Sequence, residues 1–383
     1  MKLTAKLKLL PTADQHAMLL ETLEPANAAC NEIGDMAWAK QVFRQFALHK
    51  MGYKIIRAQY SLSAQIAVRA IGKVAQAYKG DKKVKRVFDL RGAFPYDGRI
   101  LSLKTSEQTV SIWTMTGRQR MSYACGERQS QLLDGERGET DLSYVDGVFY
   151  LMVSCEVETP EPADVDDVLG VDLGIVNLAV DSDGETYSGQ AVEKQRRKQG
   201  HRRRNLQRKG TRAAKRKLRK LSGKQQRYQR NTNHCISKKV VQKAQGSGRG
   251  IALEDLKGIR DRVTVRRKQR ARHTNWAFYD LQAKISYKAQ LVGVPVMLVD
   301  PRNTSRACAV CGYIDKRNRP NQSTFSCLSC GHSDLADHNA ARNIRARAAI
   351  NRPNGQGPSV QGSATELLQT TFSRSYKLPA FSR

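Results

Sequence analysis

Four cysteines in two close pairs, Cys308-Ala-Val-Cys311 and Cys327-Leu-Ser-Cys330, constrain this chain more than any other feature. Each pair is followed by glycine, Gly312 and Gly331, which lets the backbone turn so that its N–H groups can point at sulfur. Two knuckles of this spacing supply four thiolates to a tetrahedral Zn²⁺. A complete Cys₄ set leaves no open coordination position, so one structural rather than catalytic zinc ion is expected. His332 is the nearest rival ligand, and four thiolates make it unnecessary. The stretch between the pairs is polar and holds Arg317-Asn318-Arg319-Pro320. The other cysteines, Cys30, Cys125, Cys155 and Cys235, are scattered and read as small buried hydrophobes. The opening MKLTAKLKLLPT lacks the apolar core and small-residue cleavage site of a signal peptide. A leaderless chain argues against a disulfide framework and for a soluble, intracellular protein.

Charge narrows the class of partner. The 383 residues carry 66 Lys+Arg against 35 Asp+Glu, a formal net charge of +31 that must be neutralised by something. Nucleic acid is the usual intracellular polyanion. No window holds the roughly 18 apolar residues of a membrane span, and the main basic tract has too few large apolar residues for a membrane-surface helix. That tract, residues 191–230, holds 18 Lys or Arg against one acid, Glu193. Gly200, Gly210 and Gly223 interrupt it, so two helices around a break fit better than one rigid helix. Such a run could be a solvated face or a disordered arm. Its position between the strands of an α/β region favours contact with an RNA or DNA backbone, with Arg202, Arg203, Arg204, Lys215, Arg216, Lys217 and Lys220 as the candidate contacts.

The length implies two or three domains. Residues 12–80 read mostly helical, with a start at Pro11-Thr12-Ala13-Asp14-Gln15 and a second stretch from Ser61 to Tyr78. From Val87 to Thr159 the pattern changes to short β-like runs: Arg99–Lys104, Thr109–Met115, Arg120–Cys125, Leu142–Val145 and Val148–Val157. Asp146-Gly147 is a strong hairpin signal. Leu3–Leu9 alternates too, so a β-barrel or sandwich interrupted by a helical insertion is expected. After the linker Thr159-Pro160-Glu161-Pro162 come a buried strand at 168–174, a second at Leu178–Val180, a hairpin at Asp183-Gly184, further short strands at Ile251–Leu256 and Val294–Val299, and an amphipathic helix at Trp276–Gln290. The tail from Asn351 begins rich in Gly, Ser, Gln, Asn and Pro and reads as disordered at its start.

Three carboxylates are placed oddly. Asp172 lies inside an apolar strand, where an unpaired carboxylate is costly. Glu254 ends another apolar strand, and Asp337 sits where a helix starts just past the second knuckle. Singly, each has an ordinary reading: Asp172 could cap a turn, Glu254 close a strand and Asp337 cap a helix. Together they could hold two Mg²⁺ ions about 3.5–4 Å apart for phosphodiester cleavage. His338 adjoins Asp337, but as its neighbour on a helix it should point elsewhere.

At these residues the chain resembles the TnpB family of transposon-associated RNA-guided DNA nucleases, related to the type V CRISPR effectors. The resemblance is carried by GVDLGIVNLAVDSDG (170–184), ALEDLKGI (252–259), WAFYDLQAKISYKAQLVGVPVMLVDP (276–301), and NTSRACAVCG with FSCLSCGHSDLADHNAARNI (303–312 and 325–344). The N-terminal half matches only in general plan. The resemblance implies a multidomain α+β protein. A β-barrel wedge domain (1–11 and 86–165) would carry a helical recognition domain (12–85). An RNase H-like (RuvC-like) α/β nuclease domain (166–302 and 332–350) would carry a zinc-binding insertion (303–331), followed by the tail 351–383. It maps the catalytic, Mg²⁺-binding acids onto Asp172, Glu254 and Asp337, and the zinc ligands onto Cys308, Cys311, Cys327 and Cys330. It further implies a guide RNA from the transposon end, a double-stranded DNA target read beside a short adjacent motif, and one nuclease site cutting both strands. A cytoplasmic, nucleoid-associated monomer of a prokaryotic cell is the corresponding expectation. The competing readings are an RNA-guided or zinc-ribbon DNA-binding repressor without cleavage, and a strand-transferring transposase, for which no residue pattern speaks.

Overall fold

The computed structural model describes residues 1–256 and 278–350. Trp276 and the tail from Asn351, both included in the expectations above, lie outside the described residues. The chain divides into two units, Met1–Glu158 and Thr159–Arg383.

The first unit is a curled antiparallel sheet with a helical insertion. Its elements are β1 (Lys2–Leu10), α1 (Ala13–Lys40), α2 (Gln45–Gln59), α3 (Ala64–Gly80), β2 (Phe94–Tyr96), β3 (Leu101–Lys104), β4 (Thr109–Thr114), β5 (Gly117–Ala124), α4 (Glu127–Leu133), β6 (Arg137–Val145) and β7 (Val148–Glu156). The strand order is β2-β6-β7-β1-β5-β4-β3. Thus β1 lies at the centre, antiparallel to both β5 and β7, and the three helices enter between it and β2. Alternation in β1 buries Ala5, Leu7 and Leu9 against Leu19, Leu23 and Ile33 of α1 and Ile66, Ile71 and Val74 of α3 in one core. The expected helix start is a capping box: the Thr12 side chain accepts from Gln15 N, and the Gln15 side chain accepts from Thr12 N. At the expected hairpin, Asp146 (φ 51°) and Gly147 (φ 84°) both have positive φ, as a type I′ turn requires. The barrel is nearly closed rather than closed. No ladder joins β2 to β3, but the turn from Asp97 brings them together and Tyr96 Oη donates to the Trp113 carbonyl of β4 at 3.3 Å. Sequence patterning missed β2 and α4, which are too short to show a period.

The second unit is built on β8 (Val168–Asp172), β9 (Asn177–Asp181), β10 (Thr186–Ser188), α5 (Gln190–Lys209), α6 (Arg212–Gly246), β11 (Gly250–Glu254), α7 (Phe278–Leu291), β12 (Val296–Val299), β13 (Thr324–Ser326), β14 (Ser333–Leu335) and α8 (Ala336–Ile350). The main sheet runs β10-β9-β8-β11-β12. Strands β8, β11 and β12 are parallel, while β9 and β10 are antiparallel additions. Leu169, Val171, Ile251 and Leu253 pack on one face under Ile236 and Val240 of α6 and Leu281 and Ile285 of α7. Val168, Ala252 and Val299 pack on the other face against Ile344 and Ala348 of α8. The two faces alternate along each strand, as the period of two demands. Gly170 sits where α8 presses closest: a Cβ there would lie 2.2 Å from the Ala341 carbonyl oxygen and 2.6 Å from Arg345 N. Only glycine permits that approach.

Candidate active site

The alternation that sorts the core also places the acids. Register pairs Ala252 with Gly170 and Leu253 with Val171, so Glu254 and Asp172 end adjacent parallel strands side by side. Both share parity with Gly170 and Ala252 and so face α8. Asp337 is in the first turn of that helix. Asp172 and Glu254 thus lie on the face that α8 covers, and the charges of Glu254 and Asp337 both act on Asp172, although the ligand oxygens of the three do not all lie within 4.8 Å of one another.

Their electrostatics agree with that placement. Burial pushes the Asp172 carboxyl well above the usual carboxylate range, and the charges of Glu254 and Asp337 push it the same way. Arg319 and the Leu173 N–H oppose the rise. Burial also raises Glu254, against a hydrogen bond from Thr304 and the charge of Arg347. The two Asp337 oxygens are held separately: Asn177 Nδ2 donates to Oδ2 at 3.0 Å, and Arg319 Nη2 approaches Oδ1 at 3.4 Å. Thr304 Oγ1 donates to Glu254 Oε1 at 2.5 Å. A cleft of about 270 Å³ opens beside Asp337, with Asn177 and His338 in its wall. His338 is turned to other partners, Nδ1 to the Asp334 carboxylate at 3.0 Å and Nε2 to the Ser182 carbonyl at 3.3 Å. Asn177, Thr304 and Arg319 were not singled out from sequence. Asn177 opens β9, Thr304 and Arg319 lie in turns and polar runs, and no local pattern marks a residue that acts across a fold.

The four knuckle cysteines form a compact set. Among the described residues, theirs is the only group of three or more His, Cys, Asp or Glu whose ligand atoms all lie within 4.8 Å of one another. Cys308 Sγ is 3.7 Å from Cys330 Sγ, and Cys311 Sγ is 3.6 Å from Cys327 Sγ. These distances are far from a disulfide, about 2.05 Å. They match the edge of about 3.8 Å expected for thiolates about 2.3 Å from a tetrahedral zinc ion. Gly312 (φ 75°) and Gly331 (φ 73°) both adopt the left-handed turn expected after each pair. The Val310 N–H donates to Cys308 Sγ at 3.4 Å. Asn318, unremarked in its polar run, ties the two knuckles. Its Nδ2 donates to the Arg306 and Tyr313 carbonyls, and its Oδ1 accepts from Leu328 N. Of the scattered cysteines, Cys30 and Cys155 are buried as expected and Cys125 is partly so. Cys235 corrects the expectation: it is exposed, because α6 turns Ile236 and Val240 toward the sheet and leaves position 235 outside.

The basic tract forms two helices, α5 and α6, broken at Gly210, a left-handed C-cap, with Thr211 capping the next helix. Gly200 and Gly223 lie within the helices and do not break them. Arg202, Arg203, Arg204, Lys215, Arg216, Lys217 and Lys220 are all exposed. From Asn233 onward α6 is packed on the sheet, so its C-terminal half anchors the charged half. Among the described residues, no helix is long and apolar enough to cross a membrane.

Comparison with known proteins places these features. Residues 152–257 match a family model described as "Probable transposase", and residues 278–344 match one described as "Cas12f1-like, TNB domain". A CRISPR-associated endodeoxyribonuclease Cas12f1 of Sulfoacidibacillus thermotolerans is 36% identical over 214 residues, 51% of this chain and 49% of that protein. A TnpB-like protein of Methanocaldococcus jannaschii is 35% identical over 114 residues, 30% of this chain and 40% of that protein. The chain thus matches half or less of the length of these relatives. In solved structures, a chain of a Cas12f1–sgRNA–target DNA complex superposes with a TM-score of 0.55 at 16% identity, covering 85% of this chain and 82% of that one, a likeness of fold.

Proposed function

We propose that the chain is a member of the TnpB family and, on that premise, an RNA-guided DNA endonuclease that cuts by Mg²⁺-dependent phosphodiester hydrolysis at Asp172, Glu254 and Asp337. One observation carries the reading: acids from two adjacent parallel strand ends and one helix start converge on a single face of the sheet. A strand order of β10-β9-β8-β11-β12, with two antiparallel additions on a parallel core, supports an RNase H-like, RuvC-like domain.

The donor set suits magnesium. It offers carboxylate oxygens and no sulfur or imidazole, and a cation would offset both the burial and the neighbouring charges of Glu254 and Asp337 that raise Asp172. Bound there, Mg²⁺ would supply water activation and charge stabilisation at the leaving oxygen. The chain's own groups do the rest. Asn177 and Arg319 orient Asp337, and Thr304 orients Glu254. The exposed cations of α5 and α6 hold the nucleic-acid backbone. Cys308, Cys311, Cys327 and Cys330 hold one structural zinc ion. In the first unit, the helices within 12–85 and the barrel-like sheet serve as recognition and wedge domains for guide RNA and target DNA, in the cytoplasm where both are found. Guide pairing carries most of the sequence information in such systems.

The test is to express the chain with its native flanking DNA, sequence the RNA that co-purifies, and offer a matching duplex with Mg²⁺. A discrete RNA and cleavage that Asp172→Ala abolishes are expected. A discrete RNA with tight target binding and no cleavage would replace this reading with an RNA-guided repressor.

A further inference from the structure

The zinc knuckle and the carboxylate site share a buried polar frame. Asn339 and Asn343 lie one turn apart on α8, the helix that carries Asp337, and both are buried. Asn339 Nδ2 donates to the Ala307 carbonyl at 2.9 Å, and its Oδ1 accepts from Ala309 N at 3.0 Å. Those two residues flank the zinc-ligand position Cys308. Asn343 Nδ2 donates to the Ala307 carbonyl at 2.7 Å and to the Thr304 carbonyl at 2.8 Å. Thr304, 3% exposed, then donates its hydroxyl to Glu254 Oε1. A set of hydrogen bonds therefore runs from Ala307 and Ala309, the neighbours of Cys308, through Asn339 and Asn343 to Thr304 and Glu254, with Asp337 on the same helix.

Three buried polar side chains in contact with one short segment are costly unless each is satisfied, and here each is. The frame does more than satisfy polar groups. By donating to Glu254 Oε1, Thr304 fixes the rotation of that carboxylate at the end of the strand beside Asp172. Outer partners of this kind commonly change metal affinity by about 10- to 100-fold when removed.

We propose that Thr304 is a positioning residue for Glu254, and that Asn339 and Asn343 make the knuckle a brace for the carboxylate site, so that loss of zinc weakens divalent-ion binding there. This inference rests on the metal-binding role of Asp172, Glu254 and Asp337 proposed above. Its signature is a change in metal affinity without loss of fold.

The experiment measures Mn²⁺ binding to the full chain by electron paramagnetic resonance, with zinc content and melting midpoint followed in parallel. Wild type should bind Mn²⁺ at a site that Asp172→Ala removes. Thr304→Val should raise the Mn²⁺ Kd about 10-fold, with zinc content and melting unchanged, and Thr304→Ser should restore it. Zinc removal by a chelator selective over Mn²⁺ should raise the Kd similarly while the melting transition of the first unit persists. A Thr304→Val protein with wild-type Mn²⁺ affinity would overturn the proposal and leave the carboxylate site standing. A wild type with no Mn²⁺ site sensitive to Asp172→Ala would remove the carboxylate site itself.

Discussion

Asn177 and Asp337 are 160 positions apart in sequence, yet Asn177 Nδ2 donates to Asp337 Oδ2 at 3.0 Å. Asn177 begins β9 and Asp337 lies in the first turn of α8, so the bond joins the antiparallel part of the sheet to the helix packed on its face. It leaves Asp337 oriented from one side by a neutral donor and from the other by Arg319. Asn177→Ala should free that carboxylate to rotate. The Mg²⁺ concentration giving half-maximal cleavage should rise roughly 10-fold, with guide-RNA binding unchanged. A Mg²⁺ titration of cleavage checks this.

Asp172 is held in a setting that disfavours its charge. A carboxyl raised in the folded state opposes folding once pH climbs through the ordinary carboxylate value toward the folded one. In the absence of divalent ions, Asp172→Asn should therefore raise the melting midpoint at neutral pH by about 2–4 °C for each kcal/mol recovered, and abolish cleavage. The stabilisation should vanish as pH falls below the ordinary aspartate value, about 3.9. Scanning calorimetry across pH in EDTA reads the sign directly.

Asp183 works the opposite way. Arg249 makes a two-pronged contact with it at 2.9 and 2.6 Å, and Lys243 lies 3.2 Å away. The Arg249 hydrogen bonds hold its carboxyl well below the usual range, with Lys243 adding to the effect. Stability from this pairing is present above the unfolded value, about 3.9, and is lost as pH falls through the lower folded value. Asp183→Asn should destabilise the second unit at neutral pH and flatten its acid sensitivity. Urea unfolding at several acidic pH values follows both effects.

The knuckle geometry predicts a stoichiometry. Elemental analysis should find about one zinc per chain, as one Cys₄ site requires. Replacing Cys308 and Cys311 with Ser should remove it and lower the melting midpoint of the second unit. Unchanged zinc content in that variant would dismiss the site.

The basic helices predict a salt slope. Neutralising Arg202, Arg203 and Arg204 to Gln should reduce the slope of log K against log salt by about 2–3 if each meets one phosphate. An unaltered slope would return this surface to a solvated face.

The zinc knuckles were legible in the sequence because their ligands come in local pairs and their turns need glycine at fixed offsets. The break between α5 and α6 was legible because Gly210 and Thr211 act on their own backbone. The Asp146-Gly147 hairpin followed from residues that tolerate positive φ. Asp172 stood out from sequence alone because a carboxylate in a buried strand needs compensation. Glu254 and Asp337 had ordinary readings singly and were mapped as catalytic acids through the family resemblance, while the parallel pairing of β8 with β11 and the packing of α8 on Gly170 set their positions relative to Asp172. Tertiary structure alone also decided Asn177, Thr304, Arg319, Asn339 and Asn343. Their partners lie up to 160 residues away, and a hydrogen bond across that distance leaves no trace in local spacing. Local chemistry is written along the chain, whereas orientation of the carboxylates is a property of the packed sheet and helix.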